Sequence, residues 1–329
     1  MRLSLVVAAL LATTPATLAQ APATPESLVA AAKLAAGQDH AGTFLRICVA
    51  PDNLGGGRGG RAGGGAANAT PVVPDRATWY TQPYKVFDNL YFIGTKIHSA
   101  WALTTSQGIV VIDTLFDYAV GPEIVEGLTT LGLNPRDIKY VLISHAHGDH
   151  DQGAAPLQSR YGAKVVMGAA DWDSTLQRPA TAAGGVPKRD IVVGGEGQKI
   201  TLGDTTVDVI ATPGHTPGTL SYIFPVKDRG RTLMVAYSGG TAFNFSRQAQ
   251  TFAVYRDSQT KMADAARAAG ATVLMSNHTE FDRAYDRVRI AQLPRATGEK
   301  HPYESDAATV QRYFEMTRNC AEAQRLLTN

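Results

Sequence analysis

A cluster of four metal-binding side chains directly follows an apolar run, and this pairing constrains the fold more than any other feature of the chain. Residues 145–150 read His-Ala-His-Gly-Asp-His, and the run Tyr-Val-Leu-Ile at residues 140–143 precedes them. The run predicts a buried strand that delivers the cluster to the rim of a sheet. Imidazoles at i and i+2 bind one cation, and the carboxylate and imidazole that follow bind a second. The spacing therefore predicts a two-metal site.

Histidines also occur in turns, in hydrogen-bonded cores and in adventitious metal-binding tracts, which is the competing interpretation. The chain has eight histidines, and three of them fall within this hexapeptide. Gly148 and Gly153 give a crowded loop the backbone freedom that it needs. We therefore favour the metal site.

The start of the chain has the three-part form of a secretory signal. Met1 and Arg2 precede an apolar run over residues 3–11, and small residues lead to a predicted cleavage after Ala19. The apolar core is too short for a permanent membrane span, and we find no run near twenty apolar residues elsewhere. Residues 1–19 therefore predict a protein without a membrane anchor that is exported to the periplasm or secreted.

The charge of the remaining chain is nearly balanced. The full sequence has 31 basic and 29 acidic residues, and removal of Arg2 leaves 30 against 29. Such a balance provides no excess of basic residues that would favour binding to nucleic acid or an anionic membrane. We therefore expect a small-molecule substrate as the partner. The sequence leaves the oligomeric state open.

Length and composition predict one catalytic domain with an appendage. The chain has 329 residues, 44% of them hydrophobic, which suffices for a large core. Residues 20–83 form the predicted N-terminal appendage with a Gly-rich linker at 55–65, and residues 84–329 form the catalytic domain with a C-terminal helix. Cys48 and Cys320 are predicted to pair in an oxidising compartment. Two unpaired buried thiols are the alternative.

Periodicity from Tyr84 onward predicts an α/β fold. Alternating and apolar runs predict strands, with a hairpin turn at residues 106–108, and Pro122 marks a helix start that Gly132 ends. The two-fold repeat of strands and then helices indicates two packed sheets with helices outside, a four-layer αββα sandwich. The predicted strands cover residues 86–93, 101–105, 109–113, 140–144, 164–167, 191–193, 206–211, 221–224, 232–237 and 272–275. The remaining predicted helices cover residues 154–161, 251–269 and 305–327.

Two further histidines follow predicted strands. His215 lies in the turn Thr-Pro-Gly-His-Thr-Pro-Gly at 212–218, and His278 lies in Ser-Asn-His-Thr at 276–279. Each comes about one β-α-β unit after the previous cluster. An isolated histidine at either place is more often an ordinary loop or core residue, but three clusters at strand ends favour one common site.

With these residues the chain resembles the metallo-β-lactamase superfamily over about residues 84–296. The similarity rests on Asp113 at a strand end, the 145–150 cluster with Gly153, the Gly-His-Thr-Pro-Gly turn and His278. The resemblance implies the αββα metallo-β-lactamase sandwich and two Zn²⁺ ions per chain. It implies that Asp113 orients a histidine ligand. The implied ligands are His145, His147 and His215 for the first ion, and Asp149, His150 and His278 for the second.

The segment Tyr-Ser-Gly-Gly at 237–240 separates branches of this superfamily. Lactonases and thioesterases of the glyoxalase II type carry a metal-bridging aspartate there, and the best-known β-lactamase subclass carries a cysteine ligand. This chain has neither, and it looks like the third subclass, in which a serine stands about where Ser238 does. The resemblance thus implies a role for Ser238 at the active site, with Thr241 and Arg283 as further candidate anchors for a substrate carboxylate. Two interpretations of His98 stay open: a pocket-lining side chain and an ordinary loop histidine.

The resemblance implies an exported zinc hydrolase, a β-lactamase connected with antibiotic resistance, that opens a strained amide by attack of a zinc-bound hydroxide. Asp149 would hold this nucleophile in line. A zinc lactonase or thioesterase of the same fold is the alternative, and an iron-dependent enzyme similar to sulfur dioxygenases is a further one. Periplasmic zinc storage is the non-catalytic alternative. Ser144 lacks the surroundings of a serine-hydrolase nucleophile, so we expect it to support the loop.

Overall fold

The computed structural model describes residues 22–49 and 73–328. The predicted signal at 1–19 and the Gly-rich linker at 55–65 lie outside these residues. Twelve strands are present in the described part: β1 Tyr84–Lys85, β2 Leu90–Phe92, β3 Trp101–Thr105, β4 Gly108–Ile112, β5 Ile138–Leu142, β6 Lys164–Gly168, β7 Ile191–Val193, β8 Gln198–Leu202, β9 Thr205–Ala211, β10 Leu220–Asp228, β11 Arg231–Ser238 and β12 Val273–Ser276.

The helices of the described part differ widely in length. The two longest lie in the second half of the chain and pack against each other. The α-helices are α1 Pro25–Ala36, α2 Ala41–Phe44, α3 Arg76–Trp79, α4 Asp117–Ala119, α5 Glu126–Thr130, α6 Gly148–Asp151, α7 Ala154–Tyr161, α8 Ala169–Leu176, α9 Ala249–Ala268, α10 Thr279–Asp282, α11 Ala284–Ile290 and α12 Ala307–Leu327. Leu45–Val49 and Val120–Val125 form π-helical turns, and Pro135–Asp137 forms a 3₁₀ turn.

The strands form two sheets. The first has the order β1 to β7, antiparallel up to β4 and parallel from β4 to β7. The second has the order β12-β11-β10-β9-β8, and only its β11–β12 pair is parallel. The hairpin turn predicted at residues 106–108 is confirmed by the pairing of β3 with β4, in which Thr105 lies opposite Gly108.

Three apolar clusters confirm the αββα layers. The central cluster joins the inner faces of both sheets, with Trp101 and Val110 from one and Tyr222 and Val235 from the other. On the outer face of the first sheet, Val141 and its neighbours pack against the helical segments between residues 117 and 176. The outer face of the second sheet packs against α1, α9 and α12. Strand residues alternate between these clusters because successive side chains point to opposite faces of a sheet.

Two predicted elements differ from the structure. The strand expected at 86–93 is divided, because the amides of Val86 and Phe87 both donate to the Leu90 carbonyl and turn the chain between β1 and β2. The helix expected to begin at Pro122 begins at Asp117 instead. Pro122 lies inside the π-helical turn, whose wider backbone relieves the clash between a proline ring and the carbonyl four residues earlier.

The N-terminal segment packs on the body of the protein. Helix α1 lies against α12, and a disulfide joins Cys48 to Cys320 within the same layer. The predicted pairing of the cysteines is therefore confirmed. Among the residues that the structure describes, no helix has the length and apolarity needed to cross a membrane.

Candidate metal centre

The predicted ligands meet where strands of both sheets end. Asp113 follows β4, the 145–150 cluster follows β5, His215 follows β9 and His278 follows β12. These four strands end at the same side of the sandwich, as strand ends do at most ligand sites of α/β proteins. Within the described residues, two groups of side chains there have the spacing to hold a metal ion.

The first group contains His145, His147 and His215, as predicted. The Nε2 atom of His215 lies 3.1 Å from Nε2 of His145 and 3.2 Å from Nδ1 of His147. Donors bound about 2.0–2.1 Å from a tetrahedral zinc ion lie about 3.3–3.4 Å from one another. The three nitrogens are therefore spaced almost as a zinc ion requires.

Backbone carbonyls fix which nitrogen carries the proton in two of the three rings. Nδ1 of His145 lies 2.8 Å from the Gly239 carbonyl, and Nδ1 of His215 lies 2.8 Å from the Ala242 carbonyl. A carbonyl only accepts, so each Nδ1 donates and each Nε2 presents a lone pair. Two lone pairs that face each other at 3.1 Å cannot bond to each other, and a shared cation removes their repulsion. The donor set thus fits a resident metal ion.

The second group surrounds one carboxylate oxygen. Oδ2 of Asp149 lies 3.3 Å from Nε2 of His150 and 3.2 Å from Nε2 of His278. The Nε2 atoms of these two histidines lie 3.1 Å apart. The structure therefore brings the three predicted second ligands together. It also adds His98, whose Nε2 lies 3.4 Å from the same oxygen.

Asp113 lies behind the second group and is fully buried. Its Oδ2 lies 3.1 Å from Nδ1 of His150 and accepts hydrogen bonds from the hydroxyls of Ser144 and Tyr237. Its Oδ1 accepts from the Ser144 amide at 2.7 Å. The expected contact of Asp113 with a histidine ligand is confirmed, and Ser144 supports it. Asp113 has a positive φ of 59°, and such strain in a non-glycine residue persists where surrounding contacts hold it.

The two groups differ in their charge. Burial lowers the pKa of His145 and His147, and it lowers that of His215 to about 3, which favours neutral rings at pH 7. Burial opposes a charge on His150 as well, but the carboxylates of Asp149 and Asp113 raise its pKa to about 10. The second group therefore carries charges that the first group lacks.

Two side chains that the sequence pattern does not predict hold the 145–150 loop in place. Asp171 accepts from the Ala146 amide at 2.8 Å, from the Thr216 hydroxyl at 2.8 Å and from the Gly218 amide at 2.9 Å, so it joins the 145–150 loop to the His215 turn. Arg178 donates to the Ala146 carbonyl at 2.7 Å and pairs with Asp151. Neither residue stands in a recognisable motif, because their partners are mostly backbone groups distant in sequence.

The segment after β11 is packed too closely for side chains. A Cβ atom on Gly239 would lie 1.7 Å from the Leu220 carbonyl oxygen, and one on Gly240 would lie 2.6 Å from Cβ of His215. Ser238 and Thr241 are buried, and their hydroxyls lie 3.2 Å apart within a cluster that includes Tyr313. This burial gives no support to a substrate contact by either residue, so the role of Ser238 stays a prediction.

Arg283 is the third candidate anchor, and its side chain is exposed. It lies 3.7 Å from Asp286 on the following helix. A cavity of about 440 Å³ lies next to the His215 turn, lined among others by Pro213, Pro217 and Lys261, and none of the side chains of the two groups lines it. Half-buried rings lie next to the second group instead: Phe116 contacts His98 edge to face, and Tyr118 stacks on Phe116.

Comparison with known proteins agrees with this geometry. The metallo-β-lactamase superfamily matches residues 93–229. Curated relatives include hydroxyacylglutathione hydrolases of Acidiphilium cryptum (strain JF-5), 32% identical over 48% of this chain and 62% of that protein, and of Methylobacterium sp. (strain 4-46), 32% identical over 37% and 41%. The chain thus spans less than two thirds of the length of either relative.

Solved structures match a larger part of the chain. A subclass B3 metallo-β-lactamase of Bradyrhizobium japonicum is 27% identical with a TM-score of 0.55, and the match covers 71% of this chain and 89% of that one. A metallo-β-lactamase from Legionella gormanii has a TM-score of 0.61 over 76% and 98%, and at 21% identity it shows the fold alone. The matched residues, the two packed sheets and the shared edge of histidines and aspartates show that this chain has the metallo-β-lactamase fold and is similar to that superfamily over residues 93–229.

Proposed function

We propose that this metallo-β-lactamase-fold hydrolase is a binuclear zinc β-lactamase that opens the strained amide of its substrate. The observation that carries the proposal is the pairing of an all-histidine group with an aspartate-centred group on one loop, residues 145–150. Likeness to a subclass B3 enzyme over 71% of the chain supports the β-lactam substrate class.

Histidine nitrogens and one carboxylate are the donors that zinc prefers. Bound zinc supplies an activated water at neutral pH and polarises a carbonyl group. The chain's own residues set the conditions for this chemistry. Gly239 and Ala242 hold the protons of His145 and His215 away from the centre. Asp113 orients His150, and Asp149 places a negative charge at the centre of the second group.

A thioesterase acting on hydroxyacylglutathione is the second candidate, because the curated relatives carry that activity in their names. The packing after β11 argues against it. The bridging carboxylate expected of that branch has no counterpart at residues 237–240, and Gly240 lies against His215 with no room for a side chain. The missing carboxylate and the close packing at Gly240 favour the β-lactamase over the thioesterase.

We further propose export to the periplasm and a part in antibiotic resistance, on the basis of residues 1–19 and the likeness to β-lactamases.

The proposal is tested with purified protein loaded with Zn²⁺ and offered nitrocefin, a penicillin, a carbapenem, a lactone and a hydroxyacylglutathione. We expect two zinc ions per chain, turnover of at least one β-lactam, and loss of turnover with a chelator and in His147→Ala. His40→Asn is the matched control, because His40 is a buried histidine that belongs to neither metal-binding group and bonds to the Thr309 carbonyl. Turnover of the thioester or lactone alone would replace β-lactams with that substrate class. One iron per chain with oxygen consumption would refute a hydrolase.

A further inference from the structure

His98 lies in a tight turn that the fold holds firmly in place. The Thr95 amide donates to the His98 carbonyl at 2.8 Å, and the His98 amide donates to the Thr95 hydroxyl at 2.8 Å. Gly94 permits the turn, since a Cβ atom there would lie 2.6 Å from the His98 carbonyl oxygen. The position of the ring therefore does not depend on a mobile loop.

The same turn is hydrogen-bonded to the segment that carries His278. The Ser99 amide donates to the Asn277 carbonyl at 2.8 Å, and the Thr279 amide donates to the Ile97 carbonyl at 2.9 Å. The Thr279 hydroxyl donates to the Lys96 carbonyl at 2.6 Å. Two segments about 180 residues apart in sequence thus form a short bridge, with His98 paired to His278. Such pairing sets the two rings side by side.

The His98 ring points at the second metal group. Its Nε2 lies 3.4 Å from Oδ2 of Asp149, and its ring centre lies 5.0 Å from that of His278. The donor atoms of His98, Asp149 and His278 all lie within 4.8 Å of one another; His150 is not in this set, and its ring centre lies 6.3 Å from that of His98. The 3.4 Å contact equals the spacing of about 3.4 Å between two donors on a tetrahedral zinc ion.

Taking the proposed binuclear centre as its basis, we propose that His98 is a fourth protein ligand of the ion in the second group, beside Asp149, His150 and His278. The second site is then a three-histidine, one-carboxylate site, whereas the first has three histidines. Four protein donors occupy all coordination positions of a tetrahedral ion. An ion that also binds water at this site must therefore be five- or six-coordinate. The second site would thus prefer ions that accept higher coordination numbers than the first does.

The direct test is nuclear magnetic resonance of protein labelled with nitrogen-15 in its histidines and loaded with two equivalents of cadmium-113. We expect a cadmium–nitrogen coupling on Nε2 of His98, assigned by its disappearance in His98→Gln. His301 is the internal control, because its Nε2 bonds to the Val86 carbonyl and should show no coupling. Couplings on His150 and His278 without one on His98 would overturn the proposal while leaving the binuclear centre intact. Fewer than two bound cadmium ions would overturn both.

Metal affinity gives an independent readout. In His98→Gln and His98→Phe, competition with a chromophoric chelator should show the second Co²⁺ ion bound at least about tenfold more weakly, with the first unchanged. The absorption spectrum of the second Co²⁺ equivalent should change as one imidazole is lost. The turn is held by backbone groups and Thr95, so both variants should keep the fold, which melting with a chelator present verifies. Unchanged affinity and spectrum in both variants would reduce His98 to a lining residue.

Discussion

The two metal-binding groups of this protein are built on different principles. In the first, three neutral imidazoles are held by packing and by backbone carbonyls, and Gly240 lies against His215 without room for a side chain. In the second, imidazoles gather around the charged Asp149, with a second carboxylate, Asp113, behind His150. The affinity of the first group for its ion should therefore depend mainly on how its rings are packed. The affinity of the second group should depend mainly on the charge of its carboxylates.

The largest effect is expected from removing the charge of the second group. Asp149→Asn keeps the size of the side chain but leaves the surrounding imidazoles without their carboxylate. Loss of an outer-shell partner of a metal costs about 10–100-fold in affinity or activity, and loss of this inner carboxylate should cost more. We expect one ion instead of two after dialysis, and hydrolysis reduced by more than about 100-fold.

Asp173→Asn is the matched control for this charge change. Asp173 is exposed and pairs with Arg189 at the surface, so its variant should keep both ions and full activity. Metal content by elemental analysis and kcat for the accepted substrate are the measurements. If Asp149→Asn kept both ions with unchanged affinity, charge would not be what distinguishes the second group.

A smaller effect, confined to the first group, is expected from a steric change. In Gly240→Ser the new Cβ would lie 2.6 Å from Cβ of His215 and would push that ring from its place. Overpacking of this kind costs about 1–3 kcal/mol of stability. The affinity for the first ion should fall by about tenfold or more, while the second ion is retained.

The control for this substitution is Gly42→Ala, because a Cβ on Gly42 meets no atom within 4 Å. Chelator competition and thermal melting measure the two effects. A Gly240→Ser variant with wild-type affinity for both ions would show that His215 has room to move, and the shape-dependent character of the first group would be lost.

The sequence predicted the ligands far better than it predicted their supports. Histidines and aspartates at three strand ends are visible in the primary structure, and the parallel strands and buried runs could be read from periodicity. The supports could not be found in this way. Asp171 acts through amides of two loops that lie far apart in sequence, and nothing in Gly-Ala-Ala-Asp at 168–171 reveals them. His98 is a single histidine in a short turn. Only its bridge to His278, which the sequence does not reveal, positions it next to the second group.

Local backbone chemistry explains the fold errors. The apolar residues of 86–93 satisfy a strand pattern, yet a turn with Asp88 and Asn89 divides them, and such residues favour turns. The strand Gln198–Leu202 was missed because only Ile200 in it is buried, which leaves little alternation to detect. The prediction of the αββα arrangement was correct despite these errors, because three separate apolar clusters specify it.

The smallest effect concerns a charge far from both groups. The hydrogen bonds from Arg295, with further help from Arg231, lower the pKa of the Asp228 carboxyl to about 2. The unfolded value is about 3.9, so this pairing stabilises the folded protein above pH about 4 and is lost as the pH falls toward about 2. In Arg295→Met we expect about 1 kcal/mol less stability at pH 7, and a difference from wild type that shrinks below pH 4. Urea unfolding at pH 7 and pH 3 measures it. Because Asp228 lies at the opposite end of β10 from the metal groups, both ions should stay bound. Loss of either ion would mean that a distant ion pair affects metal binding through the second sheet. The metal affinity of each group would then not depend on its own surroundings alone.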